Sequence, residues 1–355
     1  MTKKWDTLIY HGPYIQPEYK PIPKIPVKFG EKTFWPPESV QKYFKFLAAS
    51  VNRLADTKHG LKNAYKGLCE ILEKEAELLD EKKAKPIHDI LEYLEWETSN
   101  VLKNDTRPQL LLEFNAAEYA SLLKDTTPKI SPDIIKMNHG TAEINGQTVT
   151  VQPSVEVEGI YTGINKSAPL AGSFKPRISS KDVTINTSLP LDQIRKPSDG
   201  GEWGNIINDN TKTFVASWKD PISGKVKYIQ ITDTDWASEK NLKKFTIARN
   251  IQVYYDDIVE KTNQLMESDN DIDNQYGLVA YLIYSFSFRI GGEKDTDIES
   301  DTIGCTTLQK NNIEIVDAKT RKVRFSFDAK DGVHYDQVQT ISNKRAYDLL
   351  MKFVK

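Results

Sequence analysis

The hydrophobic period of this chain changes near residue 130, and that change excludes any architecture built from one kind of element. Within residues 37–125, SVQKYFKFLAASVNRLA and GLKNAYKGLCEILEKEAELL place apolar side chains every three or four positions, the spacing of one helical face. Pro86 and Pro108 interrupt this stretch, which predicts several helices rather than one. Beyond it the period falls to two. EINGQTVTVQ (143–152) reads as a hairpin turning at Asn145-Gly146, and TKTFVASW (211–218) with GKVKYIQI (224–231) reads as a second pair joined through DPISG. Helical spacing returns over 241–266 and again over about 275–290. NNIEIV (311–316), RKVRFSFD (321–328) and GVHYDQVQ (332–339) then form an antiparallel meander, and SNKRAYDLLMKFVK starts a last helix with Ser342 as its N-cap. Ahead of all this, GPYIQPEYKPIPKIPVKFG (12–30) carries five prolines, which prevent helix and favour an extended segment. The expected class is α+β, multidomain, with mixed helices and antiparallel sheets. The expected divisions are an extended segment at 1–30, a helical part at 31–128, a mainly β part at 129–218 and a mixed part at 219–355.

Composition removes several classes of function. With 355 residues and 39% hydrophobic side chains the chain can build two or three ordinary cores. No run reaches the roughly 18 apolar residues of a membrane span, and MTKKWDTLIY is too polar for a secretory signal. Cys69 and Cys305 lack metal-ligand spacing, and two thiols in such a chain suggest a reducing compartment. The five histidines form no HExxH-type cluster, so no metal is expected. The net charge of −2 conceals a segregation: residues 70–125 hold 14 acids against 7 bases, whereas residues 151–250 hold 14 bases against 11 acids. A near-neutral total therefore leaves a polyanion partner open, because the local surface decides.

Two cations stand out. In SFSFRIGGEKDTDIESDTIGCTTL (285–308), Arg289 shares a helical face with Leu278, Leu282 and Ser285, and two glycines follow. Either it complements the dipole at a helix end that Gly291 terminates, or it points toward the protein or a cleft and holds an anion. In RKVRFSFDAKDGVHY, Val323, Phe325 and Phe327 take one face of a strand, so Ala329 to Gly332 is a hairpin turn with Lys330 at its tip, free to reach outward.

Five stretches, taken together, resemble eukaryotic-type DNA topoisomerase I, the type IB family, along most of the chain. They are KWDTLIYHGPYIQPEYKPIP (4–23), FKPRISSKDVTIN (174–186), the TKTFVASW/GKVKYIQI pair followed by EKNLKKFTIAR (239–249), RIGGEKDTDIESDTIGCTTL (289–308) and FDAKDGVHY (327–335). The resemblance implies a clamp that closes on double-stranded DNA, with the start of a tyrosine-recombinase-like catalytic domain. It implies nicking and resealing of one strand through a phosphotyrosyl intermediate, without ATP, metal or other cofactor, in the nucleus and away from membranes. Residues 1–218 would form the cap, and the catalytic half would begin at about residue 219. By the same resemblance Arg289 holds the scissile phosphate and Lys330 protonates the leaving 5′ oxygen. Arg177 enters the minor groove, Asp331 lies near the same base pair, and Lys175 and Lys227 contact phosphates. The physics of these roles is ordinary: negative charge develops on the phosphate oxygens, and a departing alkoxide needs a proton.

The family's second arginine, histidine and nucleophilic tyrosine lie beyond the lysine hairpin, so the expectation is a half-site completed by a downstream or separate tyrosine-bearing domain. Lys212 stands one position later than the family pattern, which predicts that it turns to the opposite strand face. The stretch 56–125, basic in part of the family, is acidic here. Two other readings stand beside the enzyme: a non-catalytic DNA clamp, and a protein-interaction scaffold using the acidic helices.

Overall fold

The computed structural model describes residues 3–97, 105–123, 130–163, 165–231, 235–295, 297, 299 and 302–353, with the backbone alone for 235–241 and 331. The chain forms two compact units, Met1–Gly163 with Leu170–Glu239, and Ile164–Pro169 with Lys240–Lys355.

The first unit holds two separate cores. Helices Gln41–Ala55, Gly60–Leu78 and Glu81–Tyr93 and the short Ala116–Leu122 bury the stripes that the sequence lays out, among them Phe44, Leu47, Val51 and Leu54, then Ala64, Leu68 and Leu72. The end of the proline-rich segment joins this core through Val27 and Phe29 of a hairpin, Val27–Phe29 with Lys32–Phe34. Pro86 does not divide the helices, because Glu81–Tyr93 runs through it. The break falls earlier, where Leu79 is extended and the Asp80 carboxylate accepts from Lys83 N at 3.1 Å, an N-cap.

The second core is β. Leu8–Ile9 pairs with Thr141–Ile144, which pairs with Gln147–Thr150. Asn145 and Gly146 both take positive φ (50° and 82°), as a two-residue turn of this hand requires. A four-stranded sheet orders Val226–Gln230, Phe214–Lys219, Val183–Asn186 and Asn205–Ile207. Its last pair is parallel, so the sheets are antiparallel with this exception. The expected division at 218/219 falls inside the Phe214–Lys219/Val226–Gln230 pair, whose hydrogen bonds keep both strands in the first unit. Trp5, Leu8, Tyr10 and Ile15 of the N-terminal segment are buried against Val183, Ile185, Val215 and Trp218.

In the second unit the helical stretch read as 241–266 is two helices, Asp235–Gln252, which begins in the first unit, and Tyr255–Met266. Helix Asp271–Phe286 packs on the second of these, and an added Cβ at Gly277 would lie 2.8 Å from Met266 N, so only glycine permits that approach. The meander is Ile313–Asp317, Lys322–Asp328 and His334–Thr340, with Val323, Phe325 and Phe327 buried on one face as the alternation predicts. Helix Lys344–Phe353 closes the core with Ala346, Leu349 and Leu350. Its cap is Asn343, whose Oδ1 accepts from Ala346 N at 3.0 Å; the expected cap, Ser342, instead hydrogen-bonds the Tyr281 hydroxyl at 3.1 Å.

Candidate active site

Arg289 is not in a helix. Helix Asp271–Phe286 stops at Ser287, which takes the left-handed conformation (φ 57°, ψ 31°), four residues before the glycine pair. Backbone beyond that point no longer follows helical spacing, so Arg289 leaves the apolar stripe and is exposed rather than turned toward the protein. The residue before it goes inward: Phe288 is buried, with ring centroids 5.2 Å from Phe325, 5.6 Å from Phe327 and 5.3 Å from Tyr335.

The backbone on either side is stapled to the loop at 303–306. Arg289 O accepts from Cys305 N at 2.7 Å, and Ile290 O accepts from Thr306 N at 2.7 Å and from its hydroxyl at 2.8 Å. This needs Gly304, because a Cβ there would sit 2.3 Å from Gly291 Cα. The same loop reaches the lysine hairpin, since Ile303 N donates to Asp328 O at 2.8 Å. Strands Lys322–Asp328 and His334–Thr340 pair out to Asp328 opposite His334, and His334 Nδ1 lies 2.8 Å from the Asp328 carboxylate across that last rung. The turn between them is the one the alternation predicts, a single turn at Lys330–Gly332 closed by Ala329 N to Val333 O at 2.8 Å. Lys330 is exposed at its tip; the Asp331 side chain lies outside the described residues.

Arg289 and Lys330 thus leave backbone segments that share one aromatic core and one stapling loop. Neither has an ion pair among the described residues. Two such cations suit an anion with several oxygens.

The three basic residues of the first unit are placed differently. Lys175 Nζ is 2.8 Å from Glu156, and Lys227 Nζ is 2.6 Å from Glu156 and 3.0 Å from Asp220. These are not ordinary surface lysines. Burial pushes the Glu156 carboxyl up, but the hydrogen bonds from Lys175 and Lys227 outweigh it and leave it below the usual carboxylate range. Burial likewise opposes ionisation of Asp220, and its bonds to Ser223, Lys227 and Ile222 N–H overcome it. Lys227 is held above its ordinary value because Glu156 and Asp220 outweigh its desolvation. Arg177 donates to Gln16 O at 2.9 Å and pairs with Asp199 at 3.4 Å. Lys212 precedes strand Phe214–Lys219 instead of lying on it, and stands 4.0 Å from Asp209. The cations were legible in the sequence and the carboxylates facing them were not. Glu156, Asp199 and Asp220 carry no local signal, since their partners lie 7 to 71 positions away.

Among the described residues no group of three or more His, Cys, Asp or Glu is placed to hold a metal, and no helix is long and apolar enough to cross a membrane. Both cysteines are buried free thiols, with Cys305 pushed up by burial to about 12, so neither is a nucleophile at neutral pH.

Two family models match the chain. One is described as eukaryotic DNA topoisomerase I, DNA binding fragment, over residues 3–231, and the other as eukaryotic DNA topoisomerase I, catalytic core, over residues 233–355. The chain belongs to the eukaryotic DNA topoisomerase I family, as the motifs at 4–23, 289–308 and 327–335 led us to expect. It is similar to DNA topoisomerase 1 of Caenorhabditis elegans, 25% identical over 366 residues that cover 99% of this chain and 43% of the relative. DNA topoisomerase I, mitochondrial, of Homo sapiens is 25% identical over 340 residues, 94% of this chain and 54% of the relative. DNA topoisomerase 1 of Candida albicans is 31% identical over 217 residues, 61% of this chain and 27% of the relative. The chain thus spans between about a quarter and about half of the lengths of these relatives.

Proposed function

We propose that this chain binds duplex DNA and supplies the cationic half of a type IB active site, nicking and resealing one strand without ATP, metal or other cofactor. The observation that carries this reading is that Arg289 and Lys330 are exposed, without an ion pair among the described residues, on segments tied together through residues 303–306. In this role Arg289 stabilises the negative charge that grows on the non-bridging oxygens as a tyrosine attacks the phosphodiester. Lys330 gives a proton to the departing 5′ oxygen and takes it back on resealing. The 3′-phosphotyrosyl bond conserves the energy of the broken link, so rejoining needs no nucleotide. The tyrosine, the histidine and the second arginine come from a domain downstream of, or separate from, residues 1–355. Lys175, Lys227, Arg177 and Asp331 act in DNA contact rather than chemistry. The first unit serves as the cap, the second begins the catalytic half, and the site of action is the nucleus.

Relaxation of supercoiled plasmid, without ATP or metal, tests this. The chain alone should be inactive, and mixing it with a family C-terminal fragment that carries the tyrosine should restore relaxation. Salt-sensitive duplex binding with no relaxation in any mixture would replace the enzyme with a non-catalytic clamp. No duplex binding at all would favour the interaction scaffold.

A further inference from the structure

The three carboxylates that face the cations of the first unit are not held alike. Asp220 is 4% exposed and accepts from Ile222 N at 3.1 Å and Ser223 Oγ at 2.8 Å as well as from Lys227. Asp199 is 5% exposed and accepts from Ser180 N at 3.0 Å and Gly201 N at 3.2 Å as well as pairing with Arg177. Each is anchored by backbone N–H groups and would leave those donors unsatisfied if it moved. Glu156 differs. Its side chain is 29% exposed, it precedes strand Gly159–Ile160 in irregular backbone, and among the described residues its carboxylate is held by Lys175 and Lys227 alone. Two lysines brought within 2.8 Å of one movable carboxylate form a site for a doubly contacted oxyanion, with the oxyanion supplied by the chain itself.

We propose that Glu156 is an internal stand-in for a DNA phosphate, holding Lys175 and Lys227 together in the free protein and yielding its place to the phosphodiester when duplex binds. The proposal rests on the reading that these lysines contact DNA. With Glu156, Asp220 and the two lysines all ionised, the cluster has no net charge and no attraction for a polyanion. Once Glu156 swings out, Lys175 and Lys227 face the phosphate with only the anchored Asp220 against them. The exchange exposes a carboxylate that takes up a cation from solution, which offsets part of the counterion release that drives DNA binding. Glu156 therefore raises the threshold for non-specific binding and keeps the two ammonium groups oriented meanwhile.

The test is binding of a short fluorescent duplex over a salt series, using the wild-type chain, Glu156→Gln and the double variant Lys175→Gln/Lys227→Gln, with thermal unfolding to show that each is folded. Glu156→Gln removes the charge and keeps the shape. It should bind about tenfold tighter at physiological salt, the size of one charge-assisted contact no longer contested. Its log–log salt slope should also be steeper by about one unit. The double variant should bind more weakly, with a shallower slope. If the double variant weakens binding while Glu156→Gln binds no tighter than wild type, the carboxylate only positions the lysines and the exchange is wrong. If the double variant binds like wild type, the lysines do not contact DNA, and the reading beneath the proposal falls with it.

Discussion

Replacing Gly304 by alanine should disable Arg289 without touching it. The added Cβ would lie 2.3 Å from Gly291 Cα, 2.4 Å from Gly291 N and 3.0 Å from Arg289 O, all backbone atoms that cannot rotate away. Carbon atoms settle at about 3.5 Å or more, so the two segments must part by about 1 Å. Two hydrogen bonds now at 2.7 Å, Cys305 N to Arg289 O and Thr306 N to Ile290 O, would then be lost. At about 1 kcal/mol each, their loss should lower stability by about 2 kcal/mol. A shift of that size at a reacting centre costs about a hundredfold in rate. Urea unfolding measures the first effect, and plasmid relaxation in the mixture with the tyrosine-bearing fragment measures the second. Gly292→Ala is the control, since a Cβ there meets nothing within 4 Å. If Gly304→Ala matched Gly292→Ala in both assays, the stapling loop would not be what holds Arg289.

Arg289→Ala and Lys330→Ala, made singly, should change the unfolding free energy by less than about 0.5 kcal/mol, because both side chains are exposed and have no ion pair among the described residues. In the reconstituted mixture each should slow strand cleavage by about 10²–10³ with duplex affinity little changed, and equal losses of binding and cleavage would contradict the assigned roles. Phe288→Ala should cost about 3–5 kcal/mol by chemical denaturation, since it empties a site packed between Phe325, Phe327 and Tyr335. Asn343→Ala should cost about 1 kcal/mol through loss of its bond to Ala346 N, and more than Ser342→Ala in the same assay. Glu156, Asp199 and Asp220 have folded values below their ordinary 4.5, 3.8 and 3.8. Their contribution is therefore complete above about pH 5 and is lost as pH falls through the depressed folded values. Thermal unfolding from pH 7 to 3 should show the midpoint falling at the acid end, and less steeply in Asp220→Asn.

Elements whose signal is local were legible in the sequence. The stripes of Gln41–Ala55 and Gly60–Leu78, the Asn145-Gly146 turn and the alternation of Val323, Phe325 and Phe327 each follow from a few neighbouring side chains. Ends were less legible, because competing stops stand within a few residues of each other. Ser287 adopts the left-handed conformation that Gly291 was expected to supply, and Asn343 caps where Ser342 was expected. Pro86 misled for a related reason, since the helix began late enough to include it. The parallel partner Asn205–Ile207 is three residues long and shows no alternation to read. In the candidate site Arg289 and Lys330 stood out by their spacing and took their roles from motif resemblance, and their surroundings came only from the folded chain. Nothing near position 156 in the sequence indicates that two lysines, 19 and 71 residues further on, will meet there.

The N-terminal strand has a consequence for synthesis. Leu8–Ile9 pairs with Thr141–Ile144, Tyr10 N donates to Thr187 Oγ1, and Leu8 O accepts from Ser188 N, so this segment is synthesised well before its partners. Translation at about 5–20 residues per second leaves Trp5, Leu8 and Tyr10 without their core for on the order of ten seconds or longer. The buried residues of the helical core all lie between 25 and 123, so most of it can close well before that. Nascent chains stalled near residue 130 should therefore carry a protease-resistant helical body beside a sticky, unpaired strand. That strand is where a chaperone would be needed, and for a reason set by strand order rather than by marginal stability.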